Sequence, residues 1–178
     1  MLHLLQFVFL GLCLAGCQTS NLSSSTRIDS IRFVGVDTNK WIAENQDTPS
    51  ASLTVYGCKP SICPKGTAVS YLVMDSILAQ YGSKVILKTF TDARVDLEQE
   101  GAVFSINNPV RIKGFMAFNR EYYKNSHGNL KFLSSSIIFT NNTQVVVSAA
   151  SSNAKSARKY RDEFVSKLQI KDGGSAAQ

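Results

Sequence analysis

The chain predicts an α+β fold, a mostly antiparallel β-sheet packed by a C-terminal amphipathic helix. Three observations carry this. Alternating or β-branched runs recur between Ile31 and Val147, punctuated by Gly, Pro and Asn. Ala157, Tyr160, Phe164 and Leu168 then recur at three- and four-residue steps, which puts them on one face of a helix. No internal repeat or second linker interrupts the pattern. The organisation expected is a leader over 1–16, a tether over 17–29, a single domain over 30–171 and a disordered tail over 172–178.

The leader comes first. Residues 2–15 are nearly all apolar and end in small residues. The run is too short to span a bilayer, which takes about 20 residues. It has the length of a signal-peptide core. Leu14-Ala15-Gly16-Cys17 closes it and resembles the lipobox of bacterial lipoproteins. The resemblance implies that residues 1–16 are removed and that Cys17 carries a thioether-linked lipid as the first mature residue. Gln18, where inner-membrane lipoproteins often carry Asp, resembles the outer-membrane class. The segment before the apolar core departs from the pattern, with His3 in place of Lys or Arg. Residues 18–26 are polar and read as a flexible tether, with a reach on the order of 15–18 Å.

Ile31 to Val36 is the first strand expected. Ser52 to Tyr56 alternates and runs into Gly57, and Thr67 to Met74 reads as its hairpin partner. Between them lie Cys58 and Cys63, flanked by Pro60 and Pro64. With Cys13 in the leader and Cys17 lipidated, these two cysteines remain for an oxidising periplasm, so a disulfide at the hairpin tip is expected. Their spacing exceeds the Cys-x-x-Cys of redox pairs. A zinc site would need two more ligands, and His127 is the only mature histidine.

Ser76 to Tyr81 fits a helical turn, and Val85-Ile86-Leu87 is a short apolar run. Asp92, Asp96 and Glu100 fall at four-residue steps, which reads as a solvated loop or helix face. Val110, Ile112, Met116 and Phe118 share one parity, which predicts a half-buried strand with Arg111 and Lys113 on its other face. Residues 126–129 form a turn, and Leu130 to Phe139 the next strand. Asn141-Asn142 signals a hairpin, and Val145-Val146-Val147 a strand buried on both faces. The helix is expected over Asn153 to Ile170, with Lys155, Arg158, Lys159, Arg161 and Lys167 on its polar side and Gly173-Gly174 after it. The run from Lys113 to Lys171, strands followed by this basic helix, is similar to the C-terminal half of PsbP-like domains. That resemblance implies helices laid on an antiparallel sheet and carries no functional residues.

The net charge is +6, and it is lopsided. Residues 17–100 hold eight Lys/Arg against nine Asp/Glu, and residues 101–178 hold eleven against four. A basic half favours anionic partners such as envelope lipid headgroups, through Arg111, Lys113, Arg120, Lys124 and Lys131. The other reading is a solubilising surface.

No glycine-rich phosphate loop and no Gly-x-Ser-x-Gly elbow occur. Ser152 and Ser156 each begin a Ser-x-x-Lys, but the Ser-Asp-Asn and Lys-Thr-Gly partners of that chemistry are missing. His127 lies in a polar turn, and Trp41, beside Ile42, reads as a core or edge residue. The sequence implies no metal, no cofactor and no nucleic acid. The expected function is a membrane-anchored envelope lipoprotein of the outer membrane. It would have a non-catalytic binding or structural role, with the membrane, anionic lipids or a protein as partner. The alternative is an envelope enzyme acting on cell-wall material.

Overall fold

The computed structural model describes residues 31–48, 51–75, 83–126, 129–140 and 143–170. Cys17, His127 and the tail lie outside them. Nine strands and two helices occur among the described residues. In chain order they are β1 (Ile31–Phe33), β2 (Trp41–Thr48), β3 (Ala51–Cys58), β4 (Ala68–Asp75), α1 (Ser83–Gln99), β5 (Val103–Ile112), β6 (Phe115–Ser126), β7 (Asn129–Phe139), β8 (Thr143–Ser151), α2 (Ala154–Lys167) and β9 (Leu168–Ile170). Seven strands form an antiparallel sheet in the order β2-β3-β4-β8-β7-β6-β5, and β1 pairs with β9 in a small second sheet. The fold is α+β.

The pleat sorts side chains into two cores. Val73, Val145, Ile138 and Ala117 stand in register across β4, β8, β7 and β6 and face α2. The next row, Leu72, Val146, Ile137 and Phe118, points to the opposite face. There Ile86 and Phe90 of α1 pack on Phe118, Ile137 and Phe139. Both sides of β8 are therefore covered, as its unbroken Val run predicts.

The hairpin β3–β4 carries the Cys58–Cys63 disulfide at its tip, with Cα atoms 6.0 Å apart. Backbone bonds from Ile62 and Cys63 to the Lys59 carbonyl fold the loop before the bridge closes it. The loop is short, so closure entropy supplies about 2 kcal/mol. Cys58→Ser with Cys63→Ser should lower unfolding stability by about that amount, measured by urea denaturation. A loss under about 0.5 kcal/mol would mean that Pro60, Pro64 and the turn bonds already order the loop.

The apolar run Val85–Leu87 and the acidic segment after it form one helix, α1, so the acids lie on a solvated helix face, one of the two readings expected. Asp92 and Asp96 are neighbours on one exposed face of it, and cations offset their repulsion: Lys88 pairs with Asp92 at 2.7 Å, and Arg94 with Glu98 at 2.7 Å, both at i,i+4. The structure corrects three other readings of the sequence. The run Val110–Phe118 is not one strand but the hairpin β5–β6. Lys113 (φ 51°) and Gly114 (φ 85°) form its two-residue turn, and Ile112 pairs with Phe115. The turn reverses the parity, so Arg111 lies opposite Met116 and shares its face. Finally, α2 stops at Lys167 and β9 takes its last residues, because Leu168 pairs with Phe33. Trp41, at 3% exposure, belongs to the core.

Asn153 caps α2, its side chain accepting from the Ser156 amide at 2.8 Å. Further along, Glu163 accepts from Lys40 at 2.9 Å and from Lys167 at 3.2 Å, which ties α2 to the start of β2.

Candidate functional site

Glu121 sits in the middle of β6, in register with Ser134, Ala149 and Val69, and faces α2. That position would suit an apolar residue. It is 5% exposed. Arg158 and Arg161, one helical turn apart on α2, both reach it. Arg158 donates from Nε to Oε1 at 2.9 Å and from Nη2 to Oε2 at 2.6 Å. Arg161 donates from Nη1 to Oε1 at 3.3 Å, and Ser134 Oγ to the same oxygen at 3.2 Å. Arg161 is itself buried and also pairs with Asp162 at 2.8 Å. Burial pushes the Glu121 carboxyl up, but the Arg158 hydrogen bond and charge, the Arg161 charge and the Ser134 hydroxyl together hold it below the ordinary range. A carboxylate so committed is a poor proton acceptor. Its two oxygens are occupied, and its charge is already balanced.

Beside this network is a hollow of about 170 Å³. Tyr123, Phe132 and Leu133 from the sheet and Ala154 and Ala157 from the first turns of α2 wall it, with Glu121 and Ser134 at its polar end. Tyr123 and Phe132 are cross-strand partners with ring centroids 5.8 Å apart.

Arg120, the next residue, points to the other face. It is 7% exposed. Its Nη2 donates to the Phe90 carbonyl at 3.0 Å and its Nε to Asn107 Oδ1 at 3.3 Å. The guanidinium lies 5.1 Å from the Phe90 ring and 5.6 Å from Phe104. Burial lowers its proton affinity, which the nearby Tyr122 raises and the Arg94 charge lowers further. A buried guanidinium stays charged, so carbonyl, amide and ring faces solvate it and clamp α1 to the sheet.

The five cations read from the sequence therefore do not form one surface. Arg111 and Lys113 lie at the β5–β6 turn, where Arg111 donates to the Gly114 carbonyl at 3.0 Å. Lys124 and Lys131 are cross-strand partners at the far end of the hairpin, and Lys124 pairs with Glu100 at 3.1 Å. The two ends are roughly 25 Å apart at about 3.3 Å per residue. Arg120 is buried between them. The expectation missed Glu121, and it put Arg158 and Arg161 on the polar side of the helix, whereas Arg161 is buried against the sheet because Glu121 supplies its partner there. One signal was available: Glu121 has the same parity in β6 as the core residue Ala117.

No protein-family model matches the chain, and no curated protein matches it. Solved structures do. The solution structure of cyanobacterial PsbP (CyanoP) from Synechocystis sp. PCC 6803 is similar over 88% of this chain and 98% of that one, with a TM-score of 0.56 and 13% identity. PA94 from Pseudomonas aeruginosa, a protein of unknown function described as a putative regulator, matches over 75% of this chain and 87% of its own (TM-score 0.49, 12% identity). LpqN, involved in cell envelope biogenesis of Mycobacterium tuberculosis, matches over 80% and 79% (TM-score 0.42, 13% identity). The likeness to CyanoP is one of fold. It extends the PsbP-like architecture from the C-terminal third, where the sequence suggested it, to most of the chain.

Proposed function

We propose that this protein is a lipid-anchored lipoprotein of the bacterial outer membrane with a non-catalytic binding or structural role, facing the periplasm or the cell surface. The observation that carries this reading is Leu14-Ala15-Gly16-Cys17 at the end of a short apolar leader. Two further features support it. The Cys58–Cys63 bridge suits an oxidising compartment. Glu121, a buried carboxylate beside the hollow, is locked by two arginines rather than poised for proton transfer. Anionic lipid headgroups are the partner that Arg111 and Lys113, neighbours at the β5–β6 turn, would favour. Binding to anionic vesicles should then fall as salt rises, and a salt-independent signal would remove that partner.

Globomycin, which blocks the lipoprotein signal peptidase, should accumulate the unprocessed chain. A clickable palmitate analogue should label the wild type and not Cys17→Ser. Mature protein with an unmodified Cys17 thiol, or one that begins elsewhere, would falsify the anchor.

A further inference from the structure

We propose that the hollow between the first turns of α2 and strands β5, β6 and β7 binds a single uncharged apolar ring of about six or seven carbons. This deepens the binding half of the reading above and is independent of lipidation at Cys17.

The size follows from the walls. Ala154 and Ala157, one turn apart at the start of α2, face strands that contribute Tyr123 and Phe132. The two small side chains leave space where larger ones would fill it. That space measures about 170 Å³. An apolar cavity of about 150 Å³ stays dry and takes a benzene-sized molecule. The tilted ring pair Tyr123–Phe132 adds faces and edges against which a further ring packs.

The class of ligand follows from what the lining has left to offer. A bound water needs two to four polar partners. The polar groups here already have theirs. Ser134 Oγ donates to Glu121 Oε1 at 3.2 Å, and Ser105 Oγ to the Glu121 carbonyl at 3.4 Å. The Glu121 carboxylate accepts from Arg158 on both oxygens and from Arg161 on one. The peptide groups of Tyr122 and Leu133 lie in the β6–β7 ladder. Glu121 is the one ionised group among the lining residues. An anionic ligand would meet like charge there. A cationic one would meet a carboxylate that two guanidiniums already balance. A charged head thus finds no free partner in the hollow and loses its water on entry. An uncharged ring loses none.

The way in is apolar as well. Val103, Tyr123 and Phe132 stand side by side across β5, β6 and β7. Leu130, two residues before Phe132 in the same strand, shares its face. Val103, Tyr123 and Leu130 are 47%, 37% and 45% exposed, and Ala154 is exposed too. The lining is therefore continuous with a surface that a ligand can reach.

The test is a two-dimensional NMR titration of the full-length chain with toluene. Benzoate and benzylamine, which carry the same ring with a negative or a positive head, are the comparisons. Toluene should saturate and shift the amides of Phe132, Ala154 and Ala157, and the two charged analogues should bind at least tenfold more weakly. Ala154→Leu places a larger side chain at an exposed helix position, away from the ion pairs, and should weaken toluene at least tenfold. Phe132→Ala removes one wall and should weaken it at least threefold. Equal affinity for benzoate or for benzylamine would overturn the uncharged assignment. Undiminished binding to either folded variant, or non-saturating shifts spread over the surface, would overturn the site. Each of these outcomes leaves the globomycin result untouched, so the anchor and the ligand fail separately.

Discussion

Phe164→Ala is expected to lower unfolding stability by about 3–5 kcal/mol, near the top of the range for a single core truncation. The ring has no exposed surface. It stands edge-on to Trp41 at 5.1 Å and to Phe33 at 5.2 Å, and tilted against Tyr56 at 4.9 Å. Those partners come from β2, β1 and β3, so one side chain of α2 joins the small sheet and the edge of the large one. Truncation removes the burial of the ring and leaves a space that three other rings cannot close without leaving their rotamers. Urea denaturation should show a lower midpoint at unchanged slope. Phe164→Leu, which keeps most of the volume, should cost clearly less. A loss under about 1 kcal/mol for the alanine variant would mean that α2 is peripheral to the core.

The second large effect is at Glu121. Glu121→Leu leaves Arg161 buried, with Asp162 as its only carboxylate, and Arg158 without its anchor. Breaking one side of a buried ion pair typically costs about 3–5 kcal/mol, because a desolvated charge is left behind. A compensating Arg161→Met should recover a large part of that loss, and the double-mutant cycle measures the coupling. The pH dependence has a definite sign. The folded-state carboxyl of Glu121 lies below its ordinary value. Its contribution is therefore fully present above the unfolded carboxyl pKa of about 4.3 and is lost as pH falls through the lower folded value. Glu163, held down against its own burial by Lys40 and Lys167, acts in the same direction. Glu121→Leu should flatten the acid limb of the stability curve but not abolish it. An unchanged acid limb would mean that the Arg158 pair holds no charge in solution.

Local chemistry made much of this fold legible. Ala157, Tyr160 and Phe164 are buried together, because a helix of any context puts such residues on one face, whereas Leu168, the fourth of the stripe, is buried as the first residue of β9. The β3–β4 hairpin with its cysteine tip and the buried β8 strand were readable for the same reason: each segment carries its own periodicity and punctuation. The β5–β6 turn was not readable from Lys113 and Gly114. A lysine at positive φ is uncommon, and what holds it there is the pairing of ten-residue β5 with twelve-residue β6 on either side. Likewise α1 has a mixed pattern that decides little alone, and the Phe90 stack on Phe118, with ring centroids 5.0 Å apart, selects which face turns inward.

The charged residues mark the boundary most clearly. The sequence by itself determined the address-like leader, the paired cysteines, the alternating strands and the stripe of the last helix, all properties of neighbours along the chain. Only the tertiary structure decided that Arg120 and Glu121, adjacent in sequence, solvate themselves on opposite faces of one sheet. Polarity predicts both at the surface. Their burial is tolerable because Phe90 lies 30 residues before Arg120, and Arg158 and Arg161 lie 37 and 40 residues after Glu121. Strand register delivers these partners to the right face, and a slip of one residue would send each charge to the wrong side.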